Sequence, residues 1–96
     1  MIIDCHGHYT TAPPELQKYR DSQIAGLKDP ARRPAAANLK ISDDQIRESV
    51  QPQLAFQAAR GTDVTIFSPR ASAMAHHVGD ARANGQWARV CNDLIH

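Results

Sequence analysis

Two short runs of apolar, largely β-branched residues limit how this 96-residue chain can fold more than any other feature. Residues 1–5 and residues 63–67 each have the length and composition of a buried strand. The segment between them is far too long for a hairpin and carries helical signals, so it is expected to form a crossover. Two strands joined by a helical crossover predict a parallel pair with a right-handed connection.

The first helix is predicted over residues 13–27, and a third helix after Asp80. Prolines at positions 13 and 14 suit the first turn of a helix, and Gly26 together with the Asp29-Pro30 pair ends it. Four residues at helical spacing lie roughly on one face: Leu16, Tyr19, Gln23 and Leu27. Near the end of the chain Trp87, Val90, Cys91, Leu94 and Ile95 recur at the same spacing.

The second helix is expected to begin at Ser42 and to stop at Gly61. Ser42 has the pattern of an N-cap with Gln45 at the capping-box position. Pro52 should kink this helix, because it removes an amide donor from the interior. One apolar stripe steps by four residues: Ile46, Val50, Leu54 and Ala58.

Composition excludes several classes of protein. The chain is 42% hydrophobic and 22% charged with a formal net charge of +1, so neither a nucleic acid partner nor a membrane partner is indicated. No apolar run approaches the roughly 20 residues of a membrane span, and no signal peptide is recognisable. Cys5 and Cys91 form no CxxC pair and are expected to be reduced core thiols of a cytoplasmic protein.

We expect one domain that is incomplete within residues 1–96. A parallel sheet is normally buried on both faces, and two strands cannot achieve that. The chain is therefore predicted to be the N-terminal piece of a larger α/β protein. Residues 29–41 contain two prolines and no clear hydrophobic period, which predicts a surface loop within that piece.

The run Asp4-Cys5-His6-Gly7-His8 contains the candidate metal-binding residues. Side chains alternate across a strand, so Asp4, His6 and His8 would point to one side and Cys5 to the other. Two imidazoles at positions i and i+2 can bind one divalent metal ion. Asp4 could accept a hydrogen bond from one of these imidazoles and thereby fix its tautomer. The alternative is that both histidines are structural and hydrogen-bonded. Even if both histidines bind a metal ion, two ligands do not complete a catalytic site, because catalytic zinc usually has three protein ligands.

The residues Ile2-Ile3-Asp4-Cys5-His6-Gly7-His8 resemble the first-strand signature of the amidohydrolase superfamily. Together with the helix start at 42–46, the Gly61-Thr62-Asp63 run and the Ser68-Pro69-Arg70 run, they are similar to the branch of the 4-oxalomesaconate hydratases. That branch is close to the aminocarboxymuconate semialdehyde decarboxylase group. The resemblance covers most of the chain.

The resemblance implies an α/β fold made of the N-terminal βα units of a metal-dependent TIM (β/α)₈ barrel, incomplete in this chain. His6 and His8 match the two first-strand metal ligands, and the metal would be zinc or manganese with no organic cofactor. The remaining ligands and the catalytic acid or base would lie beyond His96. Members of the branch add water to an unsaturated keto polycarboxylate during degradation of protocatechuate, gallate and related aromatic compounds.

Arg70 is the candidate for substrate recognition, with Ser68 as a second substrate-binding residue. Arg70 follows the second strand, and a guanidinium binds a carboxylate in a bidentate manner. A solvated surface arginine is the alternative. His76 and His77 are predicted to be surface residues, and Trp87 a core residue.

The full-length protein is expected to act on a small-molecule carboxylate and to form a homo-oligomer, whereas the 96 residues alone are expected to be inactive. A metal-dependent decarboxylase or hydrolase remains an alternative on the same barrel, because the reaction depends on the residues of the active site and the same fold supports many reactions. A non-catalytic fragment with structural histidines is the alternative from a different class.

Overall fold

The computed structural model describes residues 1–70 and 74–96. Its elements are β1 (Ile3–Tyr9), α1 (Pro14–Ala25), α2 (Asp43–Ala58), β2 (Val64–Pro69) and α3 (Ala81–Asp93). The predicted order of strand, helix, helix, strand and helix is confirmed. Between α1 and α2, the segment predicted as a loop contains two single-turn 3₁₀ helices, Pro30–Arg32 and Ala36–Asn38.

The helices begin where their capping residues predict. The Ser42 hydroxyl accepts a hydrogen bond from the Gln45 amide at 3.2 Å, and the Gln45 side chain accepts one from the Ser42 amide at 2.9 Å. Asp80 caps α3 by accepting from the Ala83 amide at 2.8 Å. These bonds satisfy donors that the first helical turn leaves unpaired. Pro52 lies inside α2 and does not end it.

The two strands pair in parallel, with one irregularity that matters for the site. Ile3 lies opposite Val64, whereas His8 lies opposite Ser68, so β1 carries one more residue than β2 between Asp4 and Gly7. This is a β-bulge, which bends a strand and redirects its side chains. β1 continues through this irregularity to Tyr9, beyond residues 1–5 where the sequence predicted the strand.

The prediction of TIM (β/α)₈ barrel units is wrong for this chain. Residues 1–70 and 74–96 form three α-helices and one two-stranded parallel sheet, and β1 and β2 are hydrogen-bonded to each other alone. A (β/α)₈ barrel needs eight strands, each paired on both edges, to close. The sequence patterns of single strands and helices contain no information about such closure, which depends on how many strands assemble.

The core lies between α1 and α3. Tyr19, Trp87, Val90 and Cys91 are its buried residues, and Trp87 is only 2% exposed. The core positions predicted for Trp87 and Cys91 are confirmed. Burial raises the pKa of the Cys91 thiol to about 11, so this thiol is protonated at neutral pH.

Arg20 is a buried residue that the helical pattern did not identify, with 3% of its surface exposed. One guanidinium nitrogen donates to the carbonyl oxygens of Val78 at 3.0 Å and Ala75 at 3.4 Å, and to Asn84 Oδ1 at 3.1 Å. The guanidinium carbon lies 5.2 Å from the centre of the Trp87 ring. Arg20 thus joins the segment after β2 to the helical core, and burial lowers its pKa.

Ile2, Ile3 and Cys5 were predicted to be buried, and that prediction is wrong. Ile2 and Ile3 are 57% and 55% exposed, and Cys5 is also exposed. The described part of the chain measures 50 × 26 × 16 Å with a radius of gyration of 15.0 Å. A compact domain of this length has a radius of about 12.5 Å. A slab this thin covers its sheet incompletely, which leaves these strand residues in contact with solvent.

Within residues 1–70 and 74–96, no helix combines the length and the apolar character needed to cross a membrane.

Candidate functional site

His6 and His8 approach each other near the carboxyl end of β1. Their ring centres are 5.0 Å apart, and the ring planes are nearly perpendicular at 87°. Two imidazoles bound to one tetrahedral zinc ion have ring centres about 5 Å apart, because each Zn–N bond is about 2.0–2.1 Å long. The pair therefore has a spacing that suits a shared divalent ion.

Gly7 makes this geometry possible. A Cβ atom at position 7 would overlap the Thr65 side chain and would lie 2.9 Å from the Ile66 carbonyl oxygen. Only glycine allows β1 to pass this close to β2 immediately after the bulge. The glycine between the two histidines is thus explained by the packing of β1 against β2.

Three groups hold His8 in place. Its Nδ1 atom lies 3.0 Å from Ser68 Oγ and 3.2 Å from the Pro69 carbonyl oxygen. The Gln53 side-chain amide donates to the His8 carbonyl oxygen at 2.8 Å. The imidazole is thereby fixed by β2, while the backbone of the same residue is fixed by α2.

Asp4 is engaged with the backbone. Its Oδ1 atom accepts a hydrogen bond from the His6 amide at 3.0 Å. Because the bulge lies between Asp4 and Gly7, strict alternation of side chains does not extend through this part of β1. The predicted role of Asp4 in fixing a histidine ring stays a prediction.

The donor set fits a metal ion in type but not in number. Neutral imidazole suits zinc and related divalent ions, and the two rings have the spacing given above. Across residues 1–70 and 74–96, however, no group of three or more histidine, cysteine, aspartate or glutamate residues could hold a metal ion. The described residues can thus supply two ligands, and a complete catalytic site needs at least one more.

Arg70 is exposed and lines a cleft of about 150 Å³ beside the strand ends. Tyr9, Pro69, Trp87 and Cys91 also line this cleft, so its walls are largely apolar. Apolar walls with one cation at the rim suit a small carboxylate. The protonated Cys91 thiol described above is not expected to act as a nucleophile there.

The structure brings one of the other candidates, Ser68, into contact with the paired histidines. His76 and His77 are exposed, as predicted for surface residues. The predicted substrate-binding residue Ser68 has its hydroxyl 3.1 Å from the Gly7 carbonyl oxygen as well as close to His8.

Helix α2 contributes two residues that the sequence analysis missed. Gln53 binds the His8 backbone, and the Ser49 hydroxyl is hydrogen-bonded to the Tyr9 hydroxyl. These residues lie on a polar stripe of α2, next to the apolar stripe that hydrophobic spacing selected. No local signal marks them, because their partners are 45 and 40 residues away in the sequence.

The chain is similar to two hydratases. It is 53% identical over 96 residues to a 2-keto-4-carboxy-3-hexenedioate hydratase from Sphingobium sp. (strain NBRC 103272 / SYK-6). The crystal structure of the 4-oxalomesaconate hydratase LigJ from Rhodopseudomonas palustris matches 98% of this chain with a TM-score of 0.88 and 50% identity. The predicted resemblance to the 4-oxalomesaconate hydratases is confirmed.

The extent of these matches limits what they show. The chain spans about 28% of the length of each of the two relatives. No protein-family model matches the sequence, so membership of the amidohydrolase superfamily stays a prediction.

Proposed function

We propose that this chain forms part of a metal-dependent hydro-lyase that adds water to an unsaturated keto polycarboxylate during degradation of aromatic compounds. The observation that carries the proposal is the convergence of His6 and His8, with ring centres 5.0 Å apart, in a chain about half identical to two hydratases. The two relatives are named for the hydration of unsaturated keto acids with several carboxyl groups, which defines the proposed substrate class.

His6 and His8 would hold the metal ion, zinc or manganese, together with at least one ligand from outside the described residues. A divalent ion bound there would polarise a substrate oxygen or make a bound water molecule more acidic. The contribution of this chain is to orient the two imidazoles. The contacts of His8 with Ser68, Pro69 and Gln53 fix one of them, and the bulge redirects the other.

Arg70 would bind a carboxylate of the substrate. Its position on the rim of an apolar cleft at the strand ends supports this role. A guanidinium can donate two parallel hydrogen bonds to a carboxylate, and a polycarboxylate substrate offers several such groups.

A chimeric enzyme tests the proposal directly. The segment of the Rhodopseudomonas hydratase that matches this chain is replaced by the 96 residues, and hydration of 4-oxalomesaconate is followed by loss of its conjugated absorbance. We expect the chimera to be active, and we expect His6→Ala and His8→Ala to reduce its kcat by about a hundredfold or more, because a direct metal ligand is lost. Arg70→Lys should reduce kcat/KM about tenfold or more, because the bidentate contact is lost.

His77→Ala is the matched control, because His77 is an exposed histidine outside the pair. It should leave activity unchanged. A folded chimera that releases carbon dioxide instead of consuming the double bond would identify a decarboxylase and overturn the hydratase proposal. Full activity of the His6→Ala and His8→Ala chimeras would overturn the metal-site assignment.

A further inference from the structure

The hydrogen bonds around His8 identify the nitrogen that carries the proton. Nδ1 lies 3.2 Å from the carbonyl oxygen of Pro69. A carbonyl oxygen can only accept a hydrogen bond, so the neutral imidazole must donate from Nδ1 to form this contact. The lone pair of the ring is then on Nε2.

Ser68 has the complementary arrangement. Its hydroxyl has one proton, and the Gly7 carbonyl oxygen, 3.1 Å away, can only accept that proton. The Ser68 oxygen therefore accepts from His8 Nδ1 at 3.0 Å, and the single Nδ1 proton is shared between this oxygen and the Pro69 carbonyl oxygen. The opposite orientation, with Ser68 donating to a bare Nδ1, would leave no proton for either carbonyl oxygen.

The bulge brings Ser68 to this place. Before the bulge, Asp4 lies opposite Thr65, and after it His8 lies opposite Ser68. If the first offset continued without the extra residue, His8 would lie opposite Pro69, which has no side-chain hydroxyl. The irregularity in β1 thus pairs an imidazole with an acceptor on the neighbouring strand.

We propose that Ser68 is a positioning residue that, together with the Pro69 carbonyl oxygen, holds His8 as the Nδ1–H tautomer and so leaves the Nε2 lone pair available to a metal ion. The inference rests on the proposed metal site and adds a role for Ser68 distinct from substrate binding. Ser68 donates its single hydroxyl proton to the Gly7 carbonyl oxygen, so that proton is not available to the substrate. Histidines that bind metals through one nitrogen commonly donate from the other to a neighbouring oxygen, and loss of that partner costs about 10–100-fold in affinity.

Nitrogen NMR of the metal-free, ¹⁵N-labelled 96-residue chain tests the tautomer without any metal or activity. At a pH above the ordinary histidine pKa of about 6.5, long-range proton–nitrogen correlations distinguish a protonated Nδ1 from a protonated Nε2. We expect wild-type His8 to be protonated on Nδ1. Ser68→Ala removes the shorter of the two contacts and leaves only the 3.2 Å contact with the Pro69 carbonyl oxygen, so it should shift His8 toward a mixture with the Nε2–H form. Ser68→Thr, which retains a hydroxyl, should give the wild-type spectrum.

The second measurement is the zinc affinity of the 96-residue chain, obtained by titrating the metal-free chain with zinc alone. Ser68→Ala should weaken zinc binding by about tenfold or more, and Ser68→Thr should weaken it much less. Ser22→Ala is the matched control, because its hydroxyl donates to the Lys18 carbonyl oxygen within α1, away from His8. It should change neither the tautomer nor the affinity.

The outcomes separate this inference from the proposed function. A wild-type His8 protonated on Nε2 overturns the role of Ser68, and that measurement needs no variant to fold. A Ser68→Ala chain with an unchanged tautomer overturns it as well. If the tautomer depends on Ser68 as expected but the wild-type chain and the chimera bind no zinc, the role of Ser68 in fixing His8 stands and the metal site is wrong.

Discussion

The Gln53 side chain donates a 2.8 Å hydrogen bond to the backbone carbonyl oxygen of His8, across 45 residues of sequence. The same side chain accepts from the Thr10 hydroxyl at 3.3 Å. α2 is thus tied to the end of β1 by one amide that uses both its donor and its acceptor. A substitution that removes the Gln53 amide therefore removes a hydrogen bond to His8, the residue that is proposed to bind the metal ion.

Gln53→Glu is expected to destabilise the chain by about 1 kcal/mol, because a carboxylate cannot donate to the His8 carbonyl oxygen. The acceptor for Thr10 is kept, so the variant isolates the lost donor. Urea unfolding followed by circular dichroism measures the difference. Gln51→Glu adds the same charge at an exposed position of α2 and should change stability by much less. Equal effects of the two variants would show that the contact with His8 contributes nothing.

Gly7→Ala and Gly85→Ala should have opposite effects on stability. A methyl group at position 7 collides with Thr65 and the β2 backbone, and overpacking of this kind costs about 1–3 kcal/mol. A methyl group at position 85 meets no atom within 4 Å, and alanine in a helix is about 0.5–1 kcal/mol more favourable than glycine. Thermal unfolding of both variants measures these changes. Stabilisation by Gly7→Ala would contradict the close approach of β1 and β2.

Cys5 and Cys91 should differ in their reaction with a thiol reagent. Cys5 is exposed, whereas Cys91 is buried with its pKa raised to about 11, so only about one Cys91 thiol in a thousand is ionised near pH 8. We expect rapid modification of one thiol per native chain and of two per unfolded chain. The Cys5→Ser chain should lose the rapid phase. Rapid modification of Cys91 in that folded variant would contradict its burial.

Asp80 should make stability depend on pH in the acid range. Its hydrogen bond from the Ala83 amide and its 2.8 Å ion pair with Arg33 hold the pKa of its carboxyl below the ordinary value of about 3.9. The stabilisation is therefore complete above pH 3.9 and is lost as the pH falls through the lowered pKa of the folded state.

Asp80→Asn is the comparison for that pH dependence, because asparagine also caps a helix but cannot ionise. The melting temperature of the wild-type chain should exceed that of Asp80→Asn at neutral pH. The difference between the two should narrow on acidification below about pH 4. A difference that stays constant with pH would show that the Asp80 charge does not contribute.

Local signals predicted much of the secondary structure. Ser42, Gln45 and Asp80 define the helix starts through bonds that span only three residues, which a sequence displays directly. The spacing of Trp87, Val90 and Cys91 likewise identified the buried face of α3. Such signals carry no information about contacts with other elements, and this explains why the burial of Arg20 and the exposure of Ile3 were not predicted.

In the candidate site, too, the local features were predictable from the sequence and the contacts between distant segments were not. By itself, the sequence determined that two histidines stand one residue apart at a strand end, and that glycine separates them. Only the tertiary structure decided that a bulge places Ser68 opposite His8, that Thr65 and Ile66 exclude any side chain at position 7, and that Gln53 anchors the His8 backbone. The physical reason is that strand register and helix docking are set by pairings between distant segments, and the energies of those pairings depend on geometry that exists only once the chain has folded.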